Sequence, residues 1–199
     1  MSRTVDYYFT TQSPWTYLGH ARFVRIAADA GAQVRVRPVD FGKIFSLTGG
    51  LPLAKRSPAR QAYRLTELAR YAKHLAVPMN IEPKHFPIPG DASARLVIAV
   101  DLAHGADAAM TFAGAVFDAL WTQERDISDA ATLSGLLSTC SLPAGLADAA
   151  SGAEVQQRYE SYTQQALDAG VFGAPSFVID GELFWGQDRL EFVERALQS

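Results

Sequence analysis

Phe9-Thr10-Thr11-Gln12-Ser13-Pro14-Trp15-Thr16-Tyr17-Leu18-Gly19 follows a short apolar run and opens a helical pattern. Ser13 suits an N-cap, and Pro14 the first helical position, where its missing N–H is no loss. A side chain at that cap sits at the positive end of a helix, equivalent to roughly half an elementary charge. An anion held there is stabilised by the hydroxyl and by free backbone N–H groups. A thiolate carried in by a ligand is one such anion. Ser-Pro ahead of an amphipathic helix also works as a plain structural cap, so the stretch needs a partner. That partner is Gly170-Val171-Phe172-Gly173-Ala174-Pro175-Ser176-Phe177-Val178-Ile179-Asp180. The fold is expected to bring the two together, with the rest of the chain framing a cleft.

Outward from Ser13, Val5 to Phe9 reads as a strand. Trp15, Leu18, Phe23, Ile26, Ala27 and Ala30 recur at three- and four-residue steps, and Gly31 is a stop signal. Gln33 to Val39 alternates strictly, as a strand with one wet face does, and Pro38 suits an edge strand. Strand, helix and strand with a short return make a right-handed βαβ unit. Residues 40–60 read as loop, with Gly42, Gly49, Gly50, Pro52 and Pro58. Helices follow: Arg60 to Ala76 with apolar Ala62, Leu65, Leu68, Ala69, Ala72 and Leu75, then Ala92 to His104 and Asp107 to Gln123. Pro83, Pro87 and Pro89 make residues 80–90 a rigid loop. Asp129 to Ser138 and Ala144 to Ala150 are shorter helical pieces, and Ser151-Gly152-Ala153-Glu154 is a capping box for a helix to Ala169. Strand periodicity returns at Ser176 to Ile179 and Leu183 to Trp185, around the hairpin signal Asp180-Gly181. A second capping box, Asp188-Arg189-Leu190-Glu191, opens a terminal helix to Leu197.

With 199 residues, 48% of them apolar, the chain can bury a sizeable core without staples. A net charge of −3 argues against nucleic acid or an anionic membrane surface as the main partner. Cys140 is the single cysteine, so no internal disulfide and no C-x-x-C exist, which fits a reducing compartment. The N-terminus lacks the apolar run of a signal peptide, and the long apolar region Leu96 to Trp121 is broken by Asp101, His104, Asp107 and Asp118. The expectation is a cytoplasmic protein. His20, His74, His85 and His104 show no metal-ligand spacing.

A βαβ unit, about a hundred residues of helix and a ββα unit resemble the thioredoxin-like fold in its DsbA-like branch. The resemblance implies a discontinuous thioredoxin-like domain, residues 1–45 and 170–199, and an inserted α-helical domain, residues 46–169. In that branch a C-x-x-C opens the first helix and faces a cis-proline loop. Here those positions read Ser13-Pro14-Trp15-Thr16 and Ala174-Pro175, so both cysteines are absent. A disulfide exchange chemistry lacks its thiolate at Ser13. Ser13-Pro-x-x-Tyr17-Leu-Gly19, Val171-Phe-Gly-Ala-Pro175 and Trp185-Gly-Gln-Asp188-Arg189-Leu together resemble the 2-hydroxychromene-2-carboxylate isomerases. These are relatives of kappa-class glutathione transferases. Pro83-Lys84-His85-Phe86 and the region from Leu51 to Tyr63 are also similar.

The resemblance implies glutathione as cofactor and an aromatic carboxylate as substrate, in aromatic (naphthalene-type) catabolism. It implies that Ser13 faces the glutathione sulfur and that Ala174, before a cis Pro175, pairs with the glutathione backbone. Asp188 would hold the γ-glutamyl ammonium and Arg60 would meet glutathione from the first inserted helix. Gln187, beside Asp188, stands at a glutathione-contact position where kappa-class enzymes usually carry serine, and Gly49-Gly50 replaces an asparagine. The implied reaction interconverts 2-hydroxychromene-2-carboxylate and trans-o-hydroxybenzylidenepyruvate by ring opening, thiolate addition, bond rotation and elimination. A homodimer is a further implication.

Read from residue types, Lys43, Lys55, Arg56, Arg60, Lys84 and His85 are candidates for the substrate carboxylate, Arg60 and Lys84 foremost, and Trp15, Tyr17, Phe86 and Trp185 for an aromatic pocket. Solvated charge and core packing are their respective alternatives. Asp188 also reads as the N-cap of the last helix, and an Ala-Pro bond is trans by default. Two rival functions stand beside the isomerase: a kappa-like transferase that consumes glutathione, and a non-catalytic thiol- or peptide-binding module.

Overall fold

The computed structural model describes residues 3–198. Its frame is a sheet in the order β2-β1-β3-β4, formed by β1 (Thr4–Phe9), β2 (Gln33–Pro38), β3 (Ser176–Ile179) and β4 (Glu182–Trp185). β1 and β2 run parallel and are joined by α1 (Pro14–Asp29). β3 runs antiparallel to β1, and β4 antiparallel to β3. Asp180 and Gly181 join the last two strands with φ of 50° and 86°, the doubly left-handed backbone that a tight hairpin turn requires. β2 lies at the sheet edge, as Pro38 implied.

The register decides where the site forms. Tyr8 pairs with Ser176. The residues just before Ser176 therefore lie beside the end of β1 from which the chain enters α1. That end is anchored by apolar burial: Val5, Tyr7 and Phe9 are inaccessible to solvent. The Tyr7 ring packs on Phe23 of α1 at 4.6 Å and on Phe177 of β3 at 5.2 Å, and such ring pairs contribute about 0.5–1.5 kcal/mol beyond their buried area. On the same helix, His20 Nε2 bonds the Met110 carbonyl at 2.9 Å, so its Nδ1 accepts from the Tyr7 hydroxyl at 3.2 Å.

Between β2 and β3 lie α2 (Phe41–Thr48), α3 (Pro58–Leu75), α4 (Asp91–His104), α5 (Ala106–Trp121), α6 (Ala130–Thr139), α7 (Leu146–Ala149) and α8 (Ala153–Asp168), with α9 (Leu190–Gln198) at the end. The buried side chains form one continuous core from the sheet into these helices.

Four local expectations change. Residues 40–60 are not a plain loop. Asp40 caps α2 by accepting from Gly42 and Lys43 N–H, Phe41 and Ile44 are buried one turn apart, and Gly49 ends the helix at φ 79°. A 3-10 turn over Leu53–Lys55 follows. The Ser151 capping box does not form: Gly152 occupies the cap of α8 with no side-chain cap bond. Asp188 does not precede the last helix but lies inside a 3-10 turn, Gln187–Arg189, where its carboxylate meets Arg189 at 2.7 Å. Of the apolar stripe expected on α3, only Leu68 is buried, and Ala62 and Ala69 face solvent. Alanines are too small to reach the core from a helix held at the distance set by its long side chains. Cys140 is half-buried at the end of α6, and burial pushes its thiol up.

Candidate active site

Ser13 is the N-cap of α1 and its Oγ accepts from Thr16 N–H at 3.2 Å. That bond uses one lone pair and leaves the hydroxyl proton free to donate. Ser13 is 8% exposed. Opposite, the Ala174-Pro175 bond is cis. Its loop is tied down twice: Ser176 Oγ donates to the Gly173 carbonyl at 2.7 Å, and Gly186 N–H donates to the Pro175 carbonyl at 2.9 Å. The second bond joins the proline loop to the 3-10 turn that carries Asp188.

Two glycines make this junction possible. A Cβ on Gly173 would stand 2.2 Å from the Trp185 indole nitrogen, so only glycine lets the ring lie across the loop. Gly186 adopts φ 105°, and a Cβ there would also meet the Asp188 carboxylate at 2.5 Å. Trp185 is half exposed and packs edge-on against Phe172 at 4.8 Å.

Gln187 is 2% exposed, and its side chain is turned to α1. Arg22 Nη2 donates to the Gln187 amide oxygen at 3.0 Å and also to the Gln187 carbonyl. Gly19, one turn earlier on α1, gives room for this approach, since a Cβ there would come within 2.7 Å of the Gln187 Cβ. Gln187 therefore fastens the turn to the helix. Its amide oxygen accepts from Arg22, while Gln187 also lines the cleft. Burial and neighbouring Arg25 lower the Arg22 guanidinium, and Asp188 opposes that shift.

A cleft of about 560 Å³ opens at this end of the sheet, within the usual range for small-molecule sites. The first inserted long helix, α3, forms one wall with Arg60, Tyr63, Arg64, Glu67 and Tyr71, extended by Arg56. Trp15, Ala174 and the segment from Trp185 to Arg189 form the other. The cleft thus brings together Trp15, Arg56, Arg60, Ala174, Trp185, Gln187 and Asp188 of the expected residues. Ser13 and Pro175 are not among its lining residues; Trp15, two positions after Ser13, and Ala174, which precedes Pro175, are. Lys84, His85 and Phe86 are not among its lining residues. Lys84 is exposed on the proline-rich loop, and His85 Nδ1 faces Asp126 at 3.9 Å. Phe86 lies beneath Arg64 and against Trp121, each at 5.0 Å. The rigid 80–90 loop thus backs the cleft wall and does not form it.

Tyr63, Arg64, Glu67, Tyr71 and Arg189 were not singled out from the sequence. The signal was there: Arg56, Arg60, Tyr63, Arg64, Glu67 and Tyr71 recur at three- and four-residue steps. A polar and aromatic stripe of this kind reads as a solvated face until the fold sets a second wall against it. The lining holds four arginines against two carboxylates. Asp188 is paired with Arg189 at 2.7 Å, and Glu67 with Arg70 at 2.5 Å. Burial, with neighbouring Arg60, lowers the Arg56 guanidinium. Burial and neighbouring Arg56 push Arg64 down to about 10, against Glu82. The cleft therefore carries an excess of cationic side chains between aromatic ones. Among the described residues no group of His, Cys, Asp and Glu could hold a metal ion, and no helix is long and apolar enough to cross a membrane.

Residues 4–198 match the family described as DSBA-like thioredoxin domain. The chain is 30% identical over 199 residues to a 2-hydroxychromene-2-carboxylate isomerase of Sphingobium xenophagum, with 99% of each chain covered. It is 24% identical over 210 residues to glutathione S-transferase kappa 1 of Homo sapiens, covering 99% of this chain and 92% of that one. A solved 2-hydroxychromene-2-carboxylate isomerase structure is similar to it with a TM-score of 0.79 at 24% identity, over 98% of this chain and 94% of the other. A serine-capped first helix without C-x-x-C, a cis-proline loop and a full-length match agree: the chain belongs to the DsbA-like thioredoxin family, among the 2-hydroxychromene-2-carboxylate isomerases.

Proposed function

We propose that this enzyme is a glutathione-dependent isomerase of 2-hydroxychromene-2-carboxylate and trans-o-hydroxybenzylidenepyruvate. The observation that carries the reading is the convergence, at one end of the sheet, of a hydroxyl-capped helix N-terminus, a cis-proline loop and the Asp188 turn. These groups suit glutathione. Asp188 offers a carboxylate to its ammonium, Ala174 and the strand after Pro175 offer backbone groups to its peptide, and Arg60 offers a cation to a carboxylate. Ser13 offers its free proton to the sulfur. When bound, glutathione supplies a thiolate that adds reversibly to the conjugated double bond and so allows rotation.

The chain's own residues do the rest. A free thiol titrates near ~8.5. The Ser13 hydroxyl and the N-terminus of α1 favour the charged form and lower that value. Ser13 activates a borrowed nucleophile without becoming one. The aromatic sides hold a flat substrate, and the surplus arginines hold its carboxylate. Activity on a small catabolite in the reducing cytoplasm, by a homodimer, completes the reading.

The test is ultraviolet-monitored conversion of 2-hydroxychromene-2-carboxylate with and without glutathione, on wild type and Ser13→Ala. The expected result is conversion that requires glutathione and leaves it unconsumed, with turnover lost in Ser13→Ala. The cap bond itself accounts for a stability loss of only about 1 kcal/mol. Consumed glutathione would mark a transferase of the kappa kind. Equal activity in Ser13→Ala would reduce Ser13 to a structural cap.

A further inference from the structure

The proposed function gives Arg60 to glutathione but names no single residue for the substrate carboxylate. Arg60 and Arg64 stand one turn apart on α3, and Arg56 lies in extended backbone just before the helix. Among the described residues none of the three makes an ion pair. Arg56 is committed through its Nε to the Leu51 carbonyl at 2.8 Å, and Arg60 is exposed. Arg64 differs from both. Its Nη2 is shielded from solvent and has no hydrogen-bond partner. A guanidinium keeps its charge at neutral pH, so this is a half-buried charge that lines the cleft without an ion-pair partner. Such a group needs an explanation, because buried charges are normally paired.

Its orientation is fixed. The Arg64 guanidinium carbon stands 5.0 Å over the Phe86 ring, and Phe86 rests at 5.0 Å on Trp121, which is inaccessible to solvent. A planar donor fork held on an aromatic face is pre-organised for a carboxylate. The rest of the wall shows what carries that carboxylate. Tyr63 and Tyr71 flank Arg64 on α3, and Trp15 meets Tyr71 edge-on at 5.9 Å. These rings suit a flat conjugated body. Asp188, the carboxylate suited to an ammonium, lies on the opposite wall with the proline loop.

We infer that Arg64 binds the carboxylate of the second ligand, a planar conjugated acid, through its guanidinium fork, and that Phe86 is a positioning residue for that fork. The inference rests on reading the cleft as a two-ligand site, with glutathione on the proline-loop side. The arginines then divide between the ligands, Arg60 serving glutathione and Arg64 the acid.

The test uses probes that need no turnover: trans-cinnamate and its neutral isostere cinnamamide, titrated into the full chain with glutathione present and absent. Wild type is expected to prefer cinnamate by about 10- to 100-fold, the range of charge-assisted hydrogen bonds. Arg64→Gln is expected to remove the preference while its glutathione Kd moves by less than about threefold. Arg64→Lys keeps the charge but not the fork, and is expected to retain part of the preference. It also guards against a folding defect in Arg64→Gln, which a thermal melt reports directly. The inference is overturned if wild type shows no preference, or if the preference survives in Arg64→Gln. It is equally overturned if Arg64→Gln weakens glutathione as much as cinnamate. Failure of the isomerase assay with an intact, Arg64-dependent preference would sink the proposed reaction and leave this assignment standing.

Discussion

The two walls of the cleft are built in opposite ways. The wall reached through α1 grows out of the core: seven of its sixteen residues are buried, among them Leu18, Gly19, His20 and Phe23. The wall on α3 is longer, eighteen residues, yet only Leu68 is buried. One side is therefore fixed by packing and tolerates little change. The other is held by a few apolar contacts and by long polar side chains. The difference separates two roles. Activating a thiolate needs a helix end placed to within a fraction of an ångström, whereas selecting an acid needs only a charged, aromatic face.

The contrast breaks most clearly on stability. Phe23 is inaccessible to solvent and touches both Tyr7 and Phe177 at 4.6 Å. Phe23→Ala is expected to destabilise the protein by about 3–5 kcal/mol, read from urea denaturation. Tyr63, 60% exposed on the other wall, should change stability by less than about 0.5 kcal/mol when cut to alanine, while its loss weakens binding of an aromatic acid. Equal stability effects would mean that α3 is as much a part of the core as α1.

Acid should strike the same wall. Burial pushes His20 down to about 4, from an ordinary value of 6.5, with the Met110 carbonyl opposing. The unfolded chain therefore takes up a proton that the folded chain refuses. The stability held by the neutral ring is complete above pH 6.5 and lost as pH falls towards 4, about 3 kcal/mol in all. Denaturation of wild type and His20→Gln across that window should diverge by this amount. Parallel curves would show that the folded imidazole accepts its proton, at odds with an Nδ1 that accepts from the Tyr7 hydroxyl.

Legibility in the sequence followed the same division. Ser13-Pro14, the alternation of Gln33 to Val39 and Asp180-Gly181 each encode a local backbone requirement, and each formed as read. The α2 helix was hidden because Gly42, Gly49 and Gly50 look like loop, whereas Gly49 is the stop that proves the helix. The α3 wall was hidden for a different reason. Arg64, Tyr63 and Tyr71 satisfy a helical period equally well when they face water, and only the turn carrying Asp188, more than a hundred residues away, makes a cleft of them. Lys84 and His85 erred in the other direction. Their loop supports Arg64 from behind through Phe86, a contact that carries no periodic signature. Gln187 looked like a lost ligand contact. Its role depends on Arg22 and Gly19, which lie on α1 outside the apolar stripe that marks the helix.

The smallest expected effect tests whether that junction matters to binding or only to packing. Gly19→Ala adds one methyl group where the Gln187 Cβ stands 2.7 Å away and its Cα 3.4 Å away. Neither atom is the free end of a side chain, so the turn itself must give. Overpacking of this order costs about 1–3 kcal/mol, and alanine in a helix recovers about 1 kcal/mol over glycine, so the net loss should be near ~1 kcal/mol. The turn carries Asp188, and its displacement should raise the KM for glutathione while leaving the affinity for an aromatic acid on the α3 wall unchanged. An equal change in both would mean that the two walls move as one body. A change in stability alone would mean that Asp188 reaches its ligand without the help of α1. Only a shift confined to glutathione fits two walls, independently built, that meet two different parts of the reaction.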